Sequence, residues 1–203
     1  MALTESTMLE LQAPAPDFAL PATDGSTVSR DDFQGRPLLV MFICNHCPYV
    51  VHVADQLAKI GKDYGKMDLG IVAVSSNDAE EYPADSFEKM KAEADDRGYP
   101  FPYLYDETQE VARLYTAACT PDFFLFDGRH KLVYRGQLDK TRPTRIRSGV
   151  YDSTGKEPTG EDLRAAINAV LSGDTPNPKK QLPSMGCNIK WKSGNEPDYF
   201  NVG

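Results

Sequence analysis

An α/β fold, with a central mixed sheet flanked by helices, is predicted by three features of this chain. Two apolar runs, Pro37 to Ile43 and Leu69 to Ser75, carry no charge and have the length of strands buried on both faces. Each is followed by a segment of helical character, the usual way of connecting parallel strands. Further on, Asp122 to Phe126 and Lys131 to Arg135 flank Asp127-Gly128, a turn signal that joins antiparallel strands, so the sheet runs in both directions.

In chain order, Phe18 to Leu20 and Thr27 to Val28 bracket Asp24-Gly25 and predict a hairpin extension laid against the main sheet. The strand Pro37 to Ile43 leads into a helix over about Val50 to Tyr64, whose apolar positions Val50, Val51, Ala54, Leu57 and Ile60 share a face. After Leu69 to Ser75 and a polar loop, a charged helix over Asp85 to Arg97 stops at Gly98-Tyr99-Pro100. A short helix is expected over Glu107 to Tyr115. Residues 137–158 are rich in charge and turn formers and are expected to be a long loop. A last amphipathic helix spans Thr159 to Leu171, with Thr159 or Gly160 as cap, acidic Glu161 and Asp162 in its first turn, and Gly173 after its end. The expected organisation is one domain over 1–173 and an extended tail over 174–203. That tail has no helical period, yet Met185, Cys187, Ile189, Trp191, Tyr199 and Phe200 are poor material for disorder and are expected to wrap the domain.

Composition narrows the function classes. With 30 acidic and 22 basic residues the formal charge is −8, which disfavours nucleic acid or an anionic membrane as the main partner. No stretch has the apolar length of a membrane span, and MALTESTMLELQ lacks a basic region followed by an apolar core, so the cytoplasm is the expected address. Four cysteines are too few for a disulfide scaffold in a chain of 203 residues. In a reducing compartment such residues are catalytic, metal-binding or simply buried.

The stretch MFICNHCPY, Met41 to Tyr49, singles out one pair. Cys44 and Cys47 fall where a buried strand hands over to a helix, with Pro48 directly after them. Unpaired N–H groups and the positive end of the helix dipole favour thiolate there. His46 between them can add a positive or donor group, so Cys44 is expected to be a low-pKa nucleophile and Cys47 its resolving partner.

The order strand, CxxC, helix, strand, helix, Thr-Pro, hairpin, helix resembles the thioredoxin fold. Ala15-Pro16-Asp17-Phe18, Leu20, Asp24-Gly25, Asp32-Phe33, Gly35 and the run into Cys44 are more closely similar to its AhpC/TSA branch, which includes peroxiredoxins and membrane-associated thiol oxidoreductases. Thr120-Pro121 followed by Phe123-Phe124-Leu125 resembles that branch's cis-proline strand. The resemblance covers about Ala13 to Leu171. It implies that Cys44 attacks, that Cys47 resolves, and that the Thr120 backbone beside a cis Pro121 pairs with substrate. Asn45 and Pro48 take supporting places within the motif. The tail motif Gly186-Cys187-Asn188-Ile189-Lys190-Trp191 resembles a small group of uncharacterised peroxiredoxin-like proteins and carries no activity with it.

Departures from the family pattern matter as much. Thioredoxins place a buried Asp six residues before the first cysteine, here Leu38, and some relatives a Glu three residues after the second, here Val50. The proton acceptor for Cys47 is therefore open between His46, water and an acidic loop residue. A histidine next to the second cysteine stabilises the reduced form, and implies a potential more oxidising than thioredoxin's, about −270 mV.

Thiol-disulfide exchange with protein or small-molecule disulfides, supported by an unidentified electron donor and no cofactor, is the leading expectation. A peroxiredoxin-like peroxidase needs a hydroxyl three residues before the reacting cysteine, where Cys44 has Met41 and Cys47 has Cys44. A metal-binding module would use both thiols with His46 or His52, but neither spacing makes a good chelate, and no metal is expected. Cys119 and Cys187 are additional candidate redox thiols: Cys119 beside the pair or simply packed, Cys187 docked in the tail or conceivably bonded to Cys119.

Overall fold

The computed structural model describes residues 3–200. In chain order its elements are β1 (Leu3–Glu5), β2 (Ala19–Pro21), β3 (Thr27–Ser29), β4 (Leu38–Phe42), α1 (Pro48–Tyr64), β5 (Gly70–Ser75), α2 (Phe87–Arg97) and β6 (Tyr103–Tyr105). There follow α3 (Glu110–Leu114), β7 (Cys119–Thr120), β8 (Asp122–Phe126), β9 (Leu132–Gly136), β10 (Thr144–Arg147), β11 (Val150–Asp152), α4 (Glu161–Leu171) and β12 (Met185–Asn188).

The main sheet has the order β6-β5-β4-β8-β9, with β4, β5 and β6 parallel and β8 and β9 antiparallel. β4 sits at its centre and is fully buried, because its side chains alternate between two apolar layers. Leu39 and Met41 face Val53, Leu57 and Ile60 of α1 and Leu163 and Ile167 of α4. Leu38, Val40 and Phe42 face Val111 and Ala112 of α3, Tyr115 after it, the β2–β3 hairpin residues and, from the tail, Ile189 and Trp191. A strand read as uninterrupted apolar sequence is thus one with a helical layer on each side.

Local chemistry sets the helix ends. α1 starts at Pro48, two residues earlier than its apolar period suggests, because proline at the first helical position has a preset φ and no N–H to satisfy. Cys47 is its N-cap, so the two thiols lie ahead of the helix and not within its first turn. α2 is capped by Ser86, whose hydroxyl accepts from Lys89 N–H, and closed by left-handed Gly98. For α4 the cap residue is Gly160, but the acceptor comes from afar: the Asp139 carboxylate takes the N–H groups of Thr159 and Gly160 at 2.8 and 2.7 Å.

Short strands account for the departures from expectation. β6 and β1 are three residues each, and β10–β11 form a hairpin inside the segment expected to be a loop. β10 is exposed throughout, so it carries no alternation of apolar and polar residues that a pattern could register.

The tail is stitched down along its length. β12 pairs antiparallel with β7 on one side and β1 on the other. Beyond it, the Lys190 carbonyl accepts from Asp78 N–H and Gln109 Nε2, Lys190 N–H donates to Asn77 Oδ1, and Lys192 N–H donates to Gln109 Oε1. Gln109 is fully buried, and its amide donates to Ser76 O as well. Replacing Gln109 with Ala removes one side of these bonds and strands the others, at roughly 1–3 kcal/mol for each buried group left unpaired. The expected result is faster hydrogen exchange at Lys192, whose N–H loses its acceptor, with little change in β4 and β5. Unchanged protection in the tail would show that the apolar contacts of Ile189 and Trp191 hold it alone.

Candidate functional site

The site forms where β4 ends, where α1 begins, and where β7 and β12 meet. Ile43 N–H bonds Val74 O, continuing the ladder for one more residue, and the chain then leaves the sheet at Cys44. Thr120 comes in from β7, and the Thr120–Pro121 peptide bond is cis. Its hydroxyl lies 3.4 Å from Cys44 Sγ, and Cys47 Sγ donates to its carbonyl oxygen at 3.2 Å. One residue therefore touches both sulfurs.

Cys187 completes the cluster. In the β7–β12 pair it stands directly opposite Thr120, and Asn188 opposite Cys119. Side chains of directly opposed residues project to the same face. Thr120 aims at the sulfur pair, so Cys187 does too, within the same buried cluster as Cys44 and Cys47. Cys119, next to Thr120, projects to the other face, where its thiol donates to Pro121 O at 3.7 Å. Burial pushes that thiol up. Cys119 is a packed residue: in the β7–β12 pair it stands opposite Asn188 and not opposite Cys187, one of its candidate partners.

The three clustered sulfurs differ in how readily they ionise. Burial alone would push Cys47 up, but hydrogen bonds from Cys187 and Cys44 carry it well below the ordinary thiol range. Its place at the N-cap of α1 adds the positive end of the helix dipole. Burial, donation to Cys47 and the neighbouring negative charges of Cys47 and Asp85 push Cys44 up, and donation to Cys47 followed by burial does the same to Cys187. The directions of these shifts favour ionisation at Cys47 over Cys44, the reverse of the order expected from the motif. When protonated, Cys47 donates to the Thr120 carbonyl oxygen.

A depressed folded pKa contributes stability that is present above the unfolded thiol value, near 9, and is lost as pH falls through the folded value. In a titration of the reduced chain followed by ultraviolet absorbance, Cys47 is therefore expected to give a thiolate at lower pH than Cys44, a step abolished by Cys47→Ser. A thiolate signal that survives Cys47→Ser and vanishes in Cys44→Ser would reverse the assignment.

Asp85 is the site residue that sequence reasoning missed. It is fully buried, at the end of the 3-10 turn Pro83–Asp85, and accepts from four donors. Asn45 N–H and His46 N–H reach Oδ1 at 2.8 and 3.4 Å, while Asn77 Nδ2 and His46 Nδ1 reach Oδ2 at 2.7 and 2.6 Å. This carboxylate fixes the path of the chain between the two cysteines. Asn45 adds hydrogen bonds from its Nδ2 to Ala84 O and from Tyr103 hydroxyl to its Oδ1. His46, expected to serve Cys44, commits Nδ1 to Asp85 and stacks on Tyr82 with ring centroids 5.6 Å apart. The only sequence signal for Asp85 was its place as one acidic residue at the start of a charged helix.

Among the described residues, Cys44, His46 and Asp85 offer a sulfur, a nitrogen and an oxygen within 4.8 Å of one another. The carboxylate spends its lone pairs on His46 Nδ1–H, Asn77 and two backbone donors, and the His46 nitrogen is committed to that carboxylate, which makes them poor ligands as they stand. His52, the other histidine considered, is turned to Ser153 and Thr141 hydroxyls at 2.9 and 3.0 Å. A further buried acid, Asp122, follows Pro121 and is pushed up to about 7 by burial.

Comparison with known proteins follows this geometry. The fold is thioredoxin-like and is shared with solved thioredoxin-like structures. A crystal structure of an uncharacterized conserved protein from Geobacillus kaustophilus is 52% identical, covers 95% of this chain and 97% of its own, and superposes with a TM-score of 0.86. The thiol-disulfide oxidoreductase ResA of Geobacillus kaustophilus is 28% identical over 142 residues, which are 68% of this chain and 76% of that protein. A putative peroxiredoxin of Mycobacterium tuberculosis is 31% identical over 110 residues, 54% of this chain and 65% of that protein. Residues 11–135 match the model of the AhpC/TSA family, and the chain belongs to that family.

Proposed function

We propose that this chain is a thiol-disulfide oxidoreductase whose dithiol is Cys44 and Cys47. The observation that carries the reading is the pair itself: two buried sulfurs at a strand-to-helix junction, both in contact with Thr120, whose hydroxyl lies 3.4 Å from Cys44 Sγ and whose carbonyl oxygen lies 3.2 Å from Cys47 Sγ. Transfer of the Cys44 proton to Cys47, the sulfur where ionisation is favoured, makes Cys44 the attacking thiolate. Cys44 Sγ then bonds one sulfur of the substrate disulfide, and the other substrate sulfur departs as thiolate. Cys47 attacks Cys44 Sγ next, forming the Cys44–Cys47 disulfide. The second substrate sulfur leaves and takes up the proton Cys47 held, so two electrons pass from enzyme to substrate.

The Thr120 hydroxyl bears on a second reading. The hydroxyl that peroxide chemistry requires is absent from the motif, but Thr120 brings one to within 3.4 Å of Cys44 from another strand. Slow peroxide reduction is compatible with that contact, and stopped-flow oxidation of the reduced chain measures it directly.

The test of the leading reading is reduction of a disulfide-bonded peptide driven by dithiothreitol. Wild type is expected to accelerate it catalytically. A rate equal to that of dithiothreitol alone, in a folded chain with both thiols free, would refute the proposal.

A further inference from the structure

Cys187 is a buried thiol that the exchange just described does not use. Three geometric facts place it in the site. It lies opposite Thr120, the residue that touches both Cys44 and Cys47. The residue before it is Gly186, where a Cβ would run into the Thr120 carbonyl oxygen, so glycine is what lets β12 approach this closely. Cys44, Cys47 and Cys187 are 2%, 0% and 3% exposed, which makes them one enclosed group.

We propose that Cys187 is a third redox thiol, the intramolecular exchange partner of Cys47, so that the disulfide formed at Cys44–Cys47 passes to Cys47–Cys187. The inference rests on the exchange reading above and extends it. In the oxidised pair Cys187 attacks Cys47 Sγ; the Cys47–Cys187 bond forms as the Cys44–Cys47 bond breaks. Cys44 leaves with the electron pair and takes up the proton that Cys187 gives up. No electrons enter or leave, so no further oxidant is required. The outcome is a reduced Cys44, freed while the chain still holds its two oxidising equivalents, and a tail covalently tied to the base of α1.

Two features suit β12 to this task. It packs against α1, and it is held by β1 on its far edge, so Cys187 meets Cys47 without a search by a loose tail. Cys187 and Cys47 already lie in one buried cluster in the reduced chain.

The test uses the full chain equilibrated with glutathione and glutathione disulfide at several ratios, then acid-quenched, alkylated and mapped without reduction. Wild type is expected to give both Cys44–Cys47 and Cys47–Cys187, in a proportion independent of the glutathione ratio because their interconversion is intramolecular. Cys44→Ser is expected to form Cys47–Cys187. Gly186→Val, which unseats β12, is expected to lose Cys47–Cys187 while keeping Cys44–Cys47, and to raise the alkylation rate of reduced Cys187 by about tenfold or more.

Glutathione on Cys47, with Cys187 free in Cys44→Ser, under conditions where wild type forms Cys44–Cys47, would overturn this inference and leave the exchange reading intact. Absence of Cys44–Cys47 from wild type at every ratio would overturn both.

Discussion

Cys47→Ser is expected to lose turnover by on the order of 10³-fold or more and to accumulate a covalent adduct of substrate on Cys44. Serine cannot expel the substrate thiol from the mixed disulfide, so the reaction halts after its first bond. The loss has a second component, because Cys47 is also where the proton of Cys44 goes. Without that acceptor, Cys44 in the variant is expected to attack more slowly, and its adduct to form faster as pH rises. Intact-mass spectrometry of Cys47→Ser with a disulfide-bonded peptide reads both effects. Cys44→Ser should yield neither turnover nor that adduct. An adduct on Cys47 in Cys44→Ser, forming as fast as the wild type turns over, would assign the attacking role to Cys47 instead.

Asp85→Ala is expected to have the largest effect on stability of any single change at the site. The carboxylate is buried beyond reach of water and its removal strands Asn77 Nδ2, His46 Nδ1 and two backbone N–H groups. Each buried donor left unpaired costs about 1–3 kcal/mol. For a chain of this size each kcal/mol lowers Tm by about 2–4 °C. The effect on chemistry runs the other way at one atom: the Asp85 charge opposes ionisation of Cys44, and its loss makes that thiol easier to deprotonate. Thermal unfolding of the reduced chain measures the first effect, and the pH profile of Cys44 alkylation in folded Asp85→Ala the second. A Tm within a degree or two of wild type would mean that the Asn45-His46 link is held by its own geometry, as through the Asn45 bonds to Ala84 and Tyr103.

What could be seen in the sequence was whatever depends on contiguous residues. β4 and β5 were legible as uncharged apolar runs because both faces of each are covered, and the strand pair β8–β9 was legible because Asp127-Gly128 sits between its strands. The position of Cys44 and Cys47 followed from the same run ending at a proline. The distribution of charge between them did not, since it depends on groups from outside the motif: Cys187, brought by a strand about 140 residues downstream, and Thr120, brought by β7. A dipole argument confined to the motif does not include these contacts. Asp85 was hidden for a similar reason. In sequence it reads as one more charge at a helix start, and only the fold of the loop after β5 turns it inward to the Asn45-His46 link. The tail was legible in kind, from its aromatic and aliphatic residues, and Gly186 illustrates the limit: its need for glycine is set by the Thr120 carbonyl across the strand pair, not by a turn.

The central claim is that Cys44 and Cys47 exchange a disulfide reversibly, in a site that stabilises the reduced form by holding a thiolate on Cys47. Equilibration of the wild-type chain with glutathione buffers, followed by quantifying the Cys44–Cys47 disulfide, tests it most directly. The account predicts one two-electron transition with a midpoint more oxidising than thioredoxin's, about −270 mV. A midpoint well below that value, or no Cys44–Cys47 disulfide at any ratio, would contradict it.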